Sequence, residues 1–308
     1  MDCIKVFAPG TVANVACGFD VIGLAMDAPG DEMVLRRSDE PGIRITAIHG
    51  ASLPLEASRN VAGVAVQALL QKYGQPDLGI EIEIYKNIHP GSGIGSSAAS
   101  SAGAVVGVNR LLGEPFTPKQ LVRFAMEGER LACGSAHADN VAPAILGGFT
   151  LVRSYRPLDI TSLHTPQELW VTVIHPQIEV KTSDAREILK QKVLMTDAIK
   201  QWGNVGALVA ALYQEDYELI SRSLEDVIVE PVRAILIPAF YELKLKCKEA
   251  GALGGGISGS GPSVFMLSKG EENARAVAAM MDHVYAPLGV DYKIYVSRIN
   301  TAGVKVID

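Results

Sequence analysis

The sequence has no basic cluster longer than "LRRS" at Leu35–Ser38, and across its 308 residues 28 Lys and Arg are outnumbered by 34 Asp and Glu, a formal net charge of −6. Nucleic-acid and membrane-surface proteins need a concentrated positive face, so neither partner is expected, whereas a compact site for a small anion stays open. No apolar run approaches the roughly 18 residues that cross a bilayer. The opening "MDCIKVFAPG" also lacks a basic stretch followed by an apolar core, so a cytoplasmic protein is expected. Cysteine is scarce: Cys3, Cys17, Cys133 and Cys247 form no C-x-x-C pair, which fits reduced core thiols rather than a disulfide frame or a zinc site. Internal repeats and long low-complexity tracts are missing as well.

What is present is ordinary globular composition, 48% hydrophobic and 20% charged, over a length that suits one large or two medium domains. Alternation predicts strands in "IKVFA", "MVLRR", "IRITAI" and across Ile80, Ile82 and Ile84. A helix is predicted from Val61, with Asn60 as its N-cap and Gly74 as its stop, and another from "TPKQLVRFAMEGERL", capped by Thr117 with Pro118 in the first turn. The polar, proline-containing "SYRPLDITSLHTPQEL" is the linker candidate, which divides the chain into 1–160 and 161–308. Beyond it come the strand "LWVTVIHP", helices in "SDAREILKQ" and "AIKQWGNVGALVAALYQ", a glycine-rich turn "GGGISGSGPSVFML", the helix "ENARAVAAMMDHVY" and the strand "YKIYVS".

The most informative stretch is "PGSGIGSSAAS", Pro90 to Ser100, set between the alternating strand and a helix. Strand, glycine loop and helix in that order bring free N–H groups and the positive end of a helix dipole to one point, which is where a phosphate binds. Gly91, Gly93 and Gly95 allow backbone conformations that turn amides inward, while Pro90, Ser92, Ile94, Ser96, Ser97, Ala98, Ala99 and Ser100 complete the cradle. The plainer alternative is a turn whose serines cap a helix. The spacing excludes two familiar loops: no G-K-[ST] follows, and G-x-G-x-G is not G-x-G-x-x-G.

Together with "APGTVANVACGFDVIGLAM" and "GGGISGSGPSVFML", this loop resembles, in order, the signature blocks of the GHMP kinase superfamily. Further blocks, "HADNVAPAILGGF", "VKTSDAREIL" and "VIVEPVRAILIPAF", are similar to those of its homoserine-phosphorylating branch. The resemblance spans nearly the whole chain. It implies an α+β, two-domain GHMP kinase fold with an N-terminal nucleotide-binding domain and a C-terminal ferredoxin-like domain. It also implies transfer of phosphate from ATP, with Mg²⁺, to the side-chain hydroxyl of L-homoserine in threonine biosynthesis, by a homodimer. A proline that many relatives carry one step before Pro90 is His89 here.

Phosphoryl transfer asks for positioning and charge neutralisation. Hard oxygen ligands suit Mg²⁺, which points to Ser97 and to Glu129, at the edge of the helical stripe of Leu121, Phe124 and Ala125; a solvated helix-end carboxylate is the alternative for Glu129. An amino-acid substrate needs an acid and guanidinium groups. The resemblance makes Asp20 and Asn14 the contacts to the substrate ammonium and hydroxyl, and Arg186 and Arg233 the carboxylate clamp. Arg186 would sit in a first helical turn, where a cation opposes the dipole, so a binding role explains it better than helix stability. For Asp20 a turn-forming role, and for each arginine a surface ion pair, remain the alternatives. Ser258, Gly259 and Ser260 in the second glycine loop, Gly254 to Ser263, are expected to close over the substrate. Asn140 stands where some relatives carry a catalytic aspartate; an amide orients a hydroxyl but takes no proton. His137 and Asp139 are the reserve acid/base candidates. A sugar or isoprenoid-alcohol kinase, or an inactive ligand sensor, is the competing reading; the paired arginines favour an amino acid, and the intact loop with Ser97 and Glu129 favours catalysis.

Overall fold

The computed structural model describes residues 2–178, 180, 187–189 and 192–307. Two long strands, β1 (Cys3–Ala13) and β2 (Ile22–Arg37), pair antiparallel with Ile4 opposite Leu35 and Val6 opposite Met33. Strand β4 (Ile80–Tyr85) runs antiparallel to β2, and β3 (Ile43–His49) lies parallel to β4 at the edge. The predicted alternation holds: Ile80, Ile82 and Ile84 are buried, whereas Glu81, Glu83 and Tyr85 are more exposed.

One face of this sheet is covered by α1 (Val61–Tyr73), α2 (Ser96–Leu111), α3 (Pro118–Cys133) and the short α4 (Val141–Leu146), around a core that includes Val6, Met33, Leu69, Ile82 and Val105. Helix α1 begins where expected, because the Asn60 side chain accepts from Ala62 N at 3.0 Å, a cap that stabilises by about 1 kcal/mol. It ends at Gly74 in the left-handed conformation (φ 87°). Helix α3 starts with Thr117, Pro118 and a capping box closed by Gln120.

The linker reading of "SYRPLDITSLHTPQEL" is corrected. Strand β5 (Phe149–Tyr155), which pairs with β2, turns at Pro157 into β6 (Leu158–Leu163), and both belong to the first sheet. The boundary expected at 160/161 falls inside β6; the change of sheet lies between Leu163 and Leu169. Near the C-terminus β11 (Lys305–Val306) returns to pair with β1.

The second sheet is antiparallel, in the order β10 (Tyr292–Arg298), β7 (Leu169–Pro176), β9 (Val264–Lys269), β8 (Ala252–Ile257). Numbered along the chain this is 4-1-3-2, the ferredoxin-like arrangement. Helices α5 (Met195–Gln214), α6 (Tyr217–Ser223), α7 (Glu230–Arg233), α8 (Phe240–Glu249) and α9 (Glu271–Tyr285) complete this half. The expected glycine turn is shorter than read: Gly254–Gly256 lie in β8, and a Cβ at Gly255 would stand 1.9 Å from Phe265 O of the neighbouring strand. Ala8, Val12 and Phe149 of the first half share one core with Val171, Leu208 and Phe265 of the second, so the halves meet through apolar contact. The helix predicted in "SDAREILKQ", and Arg186 with it, lies outside the described residues except for Glu187–Leu189.

Candidate active site

A cavity of about 540 Å³ opens between the halves, within the range of small-ligand sites. Its walls bring together the loop after β4, the start of α2, the end of α3, the turn after β1, the segment His137–Asn140, Arg233, and Gly259 with Ser260.

The loop is built by its glycines. Gly91, Gly93 and Gly95 have φ of 77°, 81° and 70°, which L-residues adopt only at a cost of about 1–2 kcal/mol each. At Gly93 a Cβ would also meet Gly261 O at 2.6 Å, and at Gly95 the Thr11 hydroxyl at 1.9 Å. Gly95 is the N-cap of α2 and no side chain caps the helix, so the serine-cap alternative does not hold. The first-turn N–H groups lack a capping side chain at the dipole's positive end, as an anion site requires. Ser92 is fully buried, as are Ile94, Ala98 and Ala99, so these four support the loop rather than face the cavity, which Pro90, Gly91, Ser96, Ser97 and Ser100 line.

Beneath the loop lies a buried ion pair that no loop motif contains. Lys86 and Asp31 form an ion pair with side chains 1% and 0% exposed. Lys86 Nζ also donates to Ser96 O at 2.9 Å and Ser100 Oγ at 3.0 Å, while Asp31 Oδ1 accepts from Asn87 N and Ile88 N, both at 2.9 Å. Burial pushes the Lys86 ammonium below its usual pKa, and Asp31 opposes that shift. The pair ties strand, loop and first helical turn together. A sequence signal exists: Lys86 continues the inward phase of Ile80, Ile82 and Ile84, and Asp31 shares the buried phase of Met33 and Leu35.

Ser96 donates to Ile88 O at 2.9 Å, whereas Ser97 is hydrogen-bonded to Glu129. Glu129 is 6% exposed, not solvated as the alternative held, and its Oε1 has no hydrogen-bond partner. Desolvation raises its pKa from 4.5 to about 7, with the Ser97 bond opposing. A buried carboxylate oxygen without a partner is costly, and a hard cation sharing its shell with phosphate oxygens would satisfy it. The donor set therefore fits Mg²⁺. No cluster of three or more His, Cys, Asp or Glu that could hold a metal occurs among the described residues, so any metal here needs hydroxyl or ligand oxygens too.

The turn after β1 is strained. Asn14, Val15, Ala16 and Asp20 have φ of 72°, 40°, 56° and 59°, values that non-glycine residues hold only when the surroundings enforce them. Asn14 Nδ2 donates to Gly259 O at 2.7 Å, Asp20 N donates to Asn14 Oδ1 at 3.1 Å, and the Tyr155 hydroxyl donates to Asp20 O at 2.8 Å. Arg233, 2% exposed, donates to the same Gly259 O at 3.2 Å and stacks over Phe19 at 5.1 Å. It is not the surface ion pair of the alternative reading. Asp20 Oδ1 lies 3.7 Å from His137 Nδ1, and His137, Asp139 and Asn140 line the same cavity.

Asn140 Oδ1 accepts from the Thr11 hydroxyl at 2.7 Å, which leaves its N–H groups as what it offers a ligand. Ser260 and Gly259 line the cavity, but Ser258 is fully buried and donates to Gly93 O at 2.7 Å, as Ser263 donates to Ser92 O at 2.6 Å. The second glycine loop thus clasps the first. Of the four cysteines, Cys17 and Cys247 are buried, Cys3 is exposed and Cys133 lines the cavity; none is in a disulfide.

The chain matches the GHMP kinases N terminal domain over residues 60–148 and the GHMP kinases C terminal family over residues 208–286. It is 48% identical to a homoserine kinase of Chlorobaculum tepidum, covering 100% of this chain and 99% of that one. To a homoserine kinase of Chloroherpeton thalassium it is 46% identical, covering 98% of each. The crystal structure of homoserine kinase from Cytophaga hutchinsonii superposes with a TM-score of 0.96 at 52% identity, covering 100% of this chain and 98% of that one. The glycine loop at an uncapped helix, the ferredoxin-like second half and these full-length likenesses agree: the chain belongs to the GHMP kinase family, in its homoserine kinase branch.

Proposed function

We propose that the protein transfers the γ-phosphate of ATP to the side-chain hydroxyl of L-homoserine, giving O-phospho-L-homoserine for threonine biosynthesis. The observation that carries this reading is one cavity that joins an uncapped, glycine-built phosphate loop to a buried guanidinium and a carboxylate. The N–H groups of the cavity-lining loop residues Gly93, Gly95, Ser96 and Ser97 hold the phosphates. The apolar wall of Leu53, Pro54, Val61 and Leu131 suits the base of the nucleotide. Ser97 and Glu129 would hold Mg²⁺, which neutralises charge on the phosphates when bound.

At the other end, Asp20 receives the substrate ammonium and Arg233 its carboxylate, with Arg186 as the second arm of the clamp. Asn140 donates to the acceptor hydroxyl or a phosphate oxygen; it holds no proton that a base would carry. The hydroxyl proton passes to the phosphate or to water, so electrostatic stabilisation provides most of the rate. His137 and Asp139 complete the wall near the hydroxyl, and Gly259 and Ser260 close over it. No helix among the described residues is long and apolar enough to cross a membrane, and we extend the reading to a cytoplasmic homodimer. The test is ADP release with homoserine, mevalonate, galactose and shikimate in turn. Homoserine-dependent release is expected, and its absence overturns the reading.

A further inference from the structure

We propose that Gln201 is a positioning residue that sets the span between the two charged ends of the substrate site, and so selects an α-amino acid among hydroxyl acceptors. This inference rests on the substrate reading above. Gln201 lies on α5 and is 9% exposed. Its Nε2 donates to Cys17 O at 2.8 Å and to Asp226 Oδ1 at 3.0 Å, while its Oε1 accepts from Val227 N at 3.0 Å. Every polar atom of the amide is therefore used, and the three bonds reach two segments, the turn after β1 and the stretch leading into α7.

Cys17 belongs to the strained turn between Asn14 and Asp20, whose left-handed residues stay in place only while neighbouring groups hold them. Asp226 belongs to the segment that starts α7. Its carboxylate accepts from Ile228 N at 2.9 Å, Val229 N at 3.0 Å and Glu230 N at 2.9 Å, which fixes the direction of the helix bearing Arg233. Glu230 on that helix is anchored from the other side by Lys244 at 2.7 Å. One amide thus connects the element carrying Asp20 to the element carrying Arg233. A zwitterionic substrate binds well only if both its charges meet their partners at once, so a small change in this span weakens both contacts. Glutamine suits the task because it alone among side chains of its shape both donates twice and accepts while neutral. A glutamate there would place a second carboxylate against Asp226, and a methionine would leave Cys17 O and Val227 N unsatisfied.

The experiment is steady-state kinetics of Gln201→Glu and Gln201→Met with homoserine, with 4-hydroxybutyrate, which lacks the ammonium, and with 3-aminopropanol, which lacks the carboxylate. The KM for homoserine should rise about tenfold or more, while the KM for ATP and kcat at saturation stay within about threefold. The preference in kcat/KM for homoserine over both analogues should shrink by a similar factor. A KM for homoserine within about twofold of wild type in either folded variant overturns the inference. So does an equal rise in both KM values, or a lowered melting temperature with an unchanged preference. A wild-type enzyme that shows no homoserine-dependent ADP release overturns the substrate reading itself, and this inference with it.

Discussion

Replacing Glu129 by glutamine should strengthen the ligand-free protein at neutral pH while it disables the enzyme. Burial lifts the Glu129 carboxyl from 4.5 to about 7. Between those values the native state keeps a proton that the unfolded chain has released. The unfolded chain then binds fewer protons, so stability falls as pH rises through this window and levels off above it. At about 1.4 kcal/mol per pH unit, the full interval corresponds to roughly 3 kcal/mol. Between about pH 5 and pH 8 the wild type should therefore lose roughly 2 to 3 kcal/mol more than Glu129→Gln, whose amide does not titrate. Urea denaturation across that range, without metal or nucleotide, measures it. Mg²⁺ with a nucleotide should remove the wild-type penalty and stabilise the variant less than the wild type, because a metal ligand must be ionised. Turnover of the variant should fall by about a hundredfold or more. Parallel pH curves for the two proteins, or a variant that keeps its activity, would refute both the buried charge and its role.

Lys86→Met should cost about 3–5 kcal/mol in urea denaturation by leaving Asp31 buried without its cation, and the double variant with Asp31→Asn, which keeps an oxygen for Asn87 N and Ile88 N, should recover part of that loss but not nucleotide affinity. Gly93→Ala should weaken nucleotide binding in calorimetry about tenfold more than Gly91→Ala, because both have positive φ but only Gly93 faces a backbone oxygen, whereas at Gly91 a Cβ meets nothing within 4 Å. Asn140→Ala should lower kcat about tenfold or more with little change in its pH profile. If Asn140→Ala turns over normally while Asp139→Asn does not, the orienting role belongs elsewhere.

Local signals carried much of the fold. Asn60 and Gly74 mark α1, the alternation of Ile80, Ile82 and Ile84 marks β4, and Gly91, Gly93 and Gly95 mark the loop, because each depends on residues close in sequence. Strand β6 was hidden because Pro157 and a polar run read as a linker, although Leu158 and Ile160 already alternate. Gly254–Gly256 read as a turn because their reason, close approach of β9, lies across the sheet. The site divides in the same way. The helical phase of Glu129 pointed inward, but the Lys86–Asp31 pair needed the register of two strands, Glu32 opposite Tyr85, to bring it together. Gln201 has no local signature, since its three partners are set by the docking of α5.

The clasp of Ser258 on Gly93 and Ser263 on Ser92 makes the nucleotide loop common property of the two halves. An N-terminal fragment that kept every glycine of the loop would still lack the donors that hold its carbonyls, so it should be a poor nucleotide binder rather than a minimal one. The same holds over evolutionary time. A recombined chain that exchanged its C-terminal half for one with another acceptor preference would keep its loop clasped only if hydroxyls arrived at both serine positions.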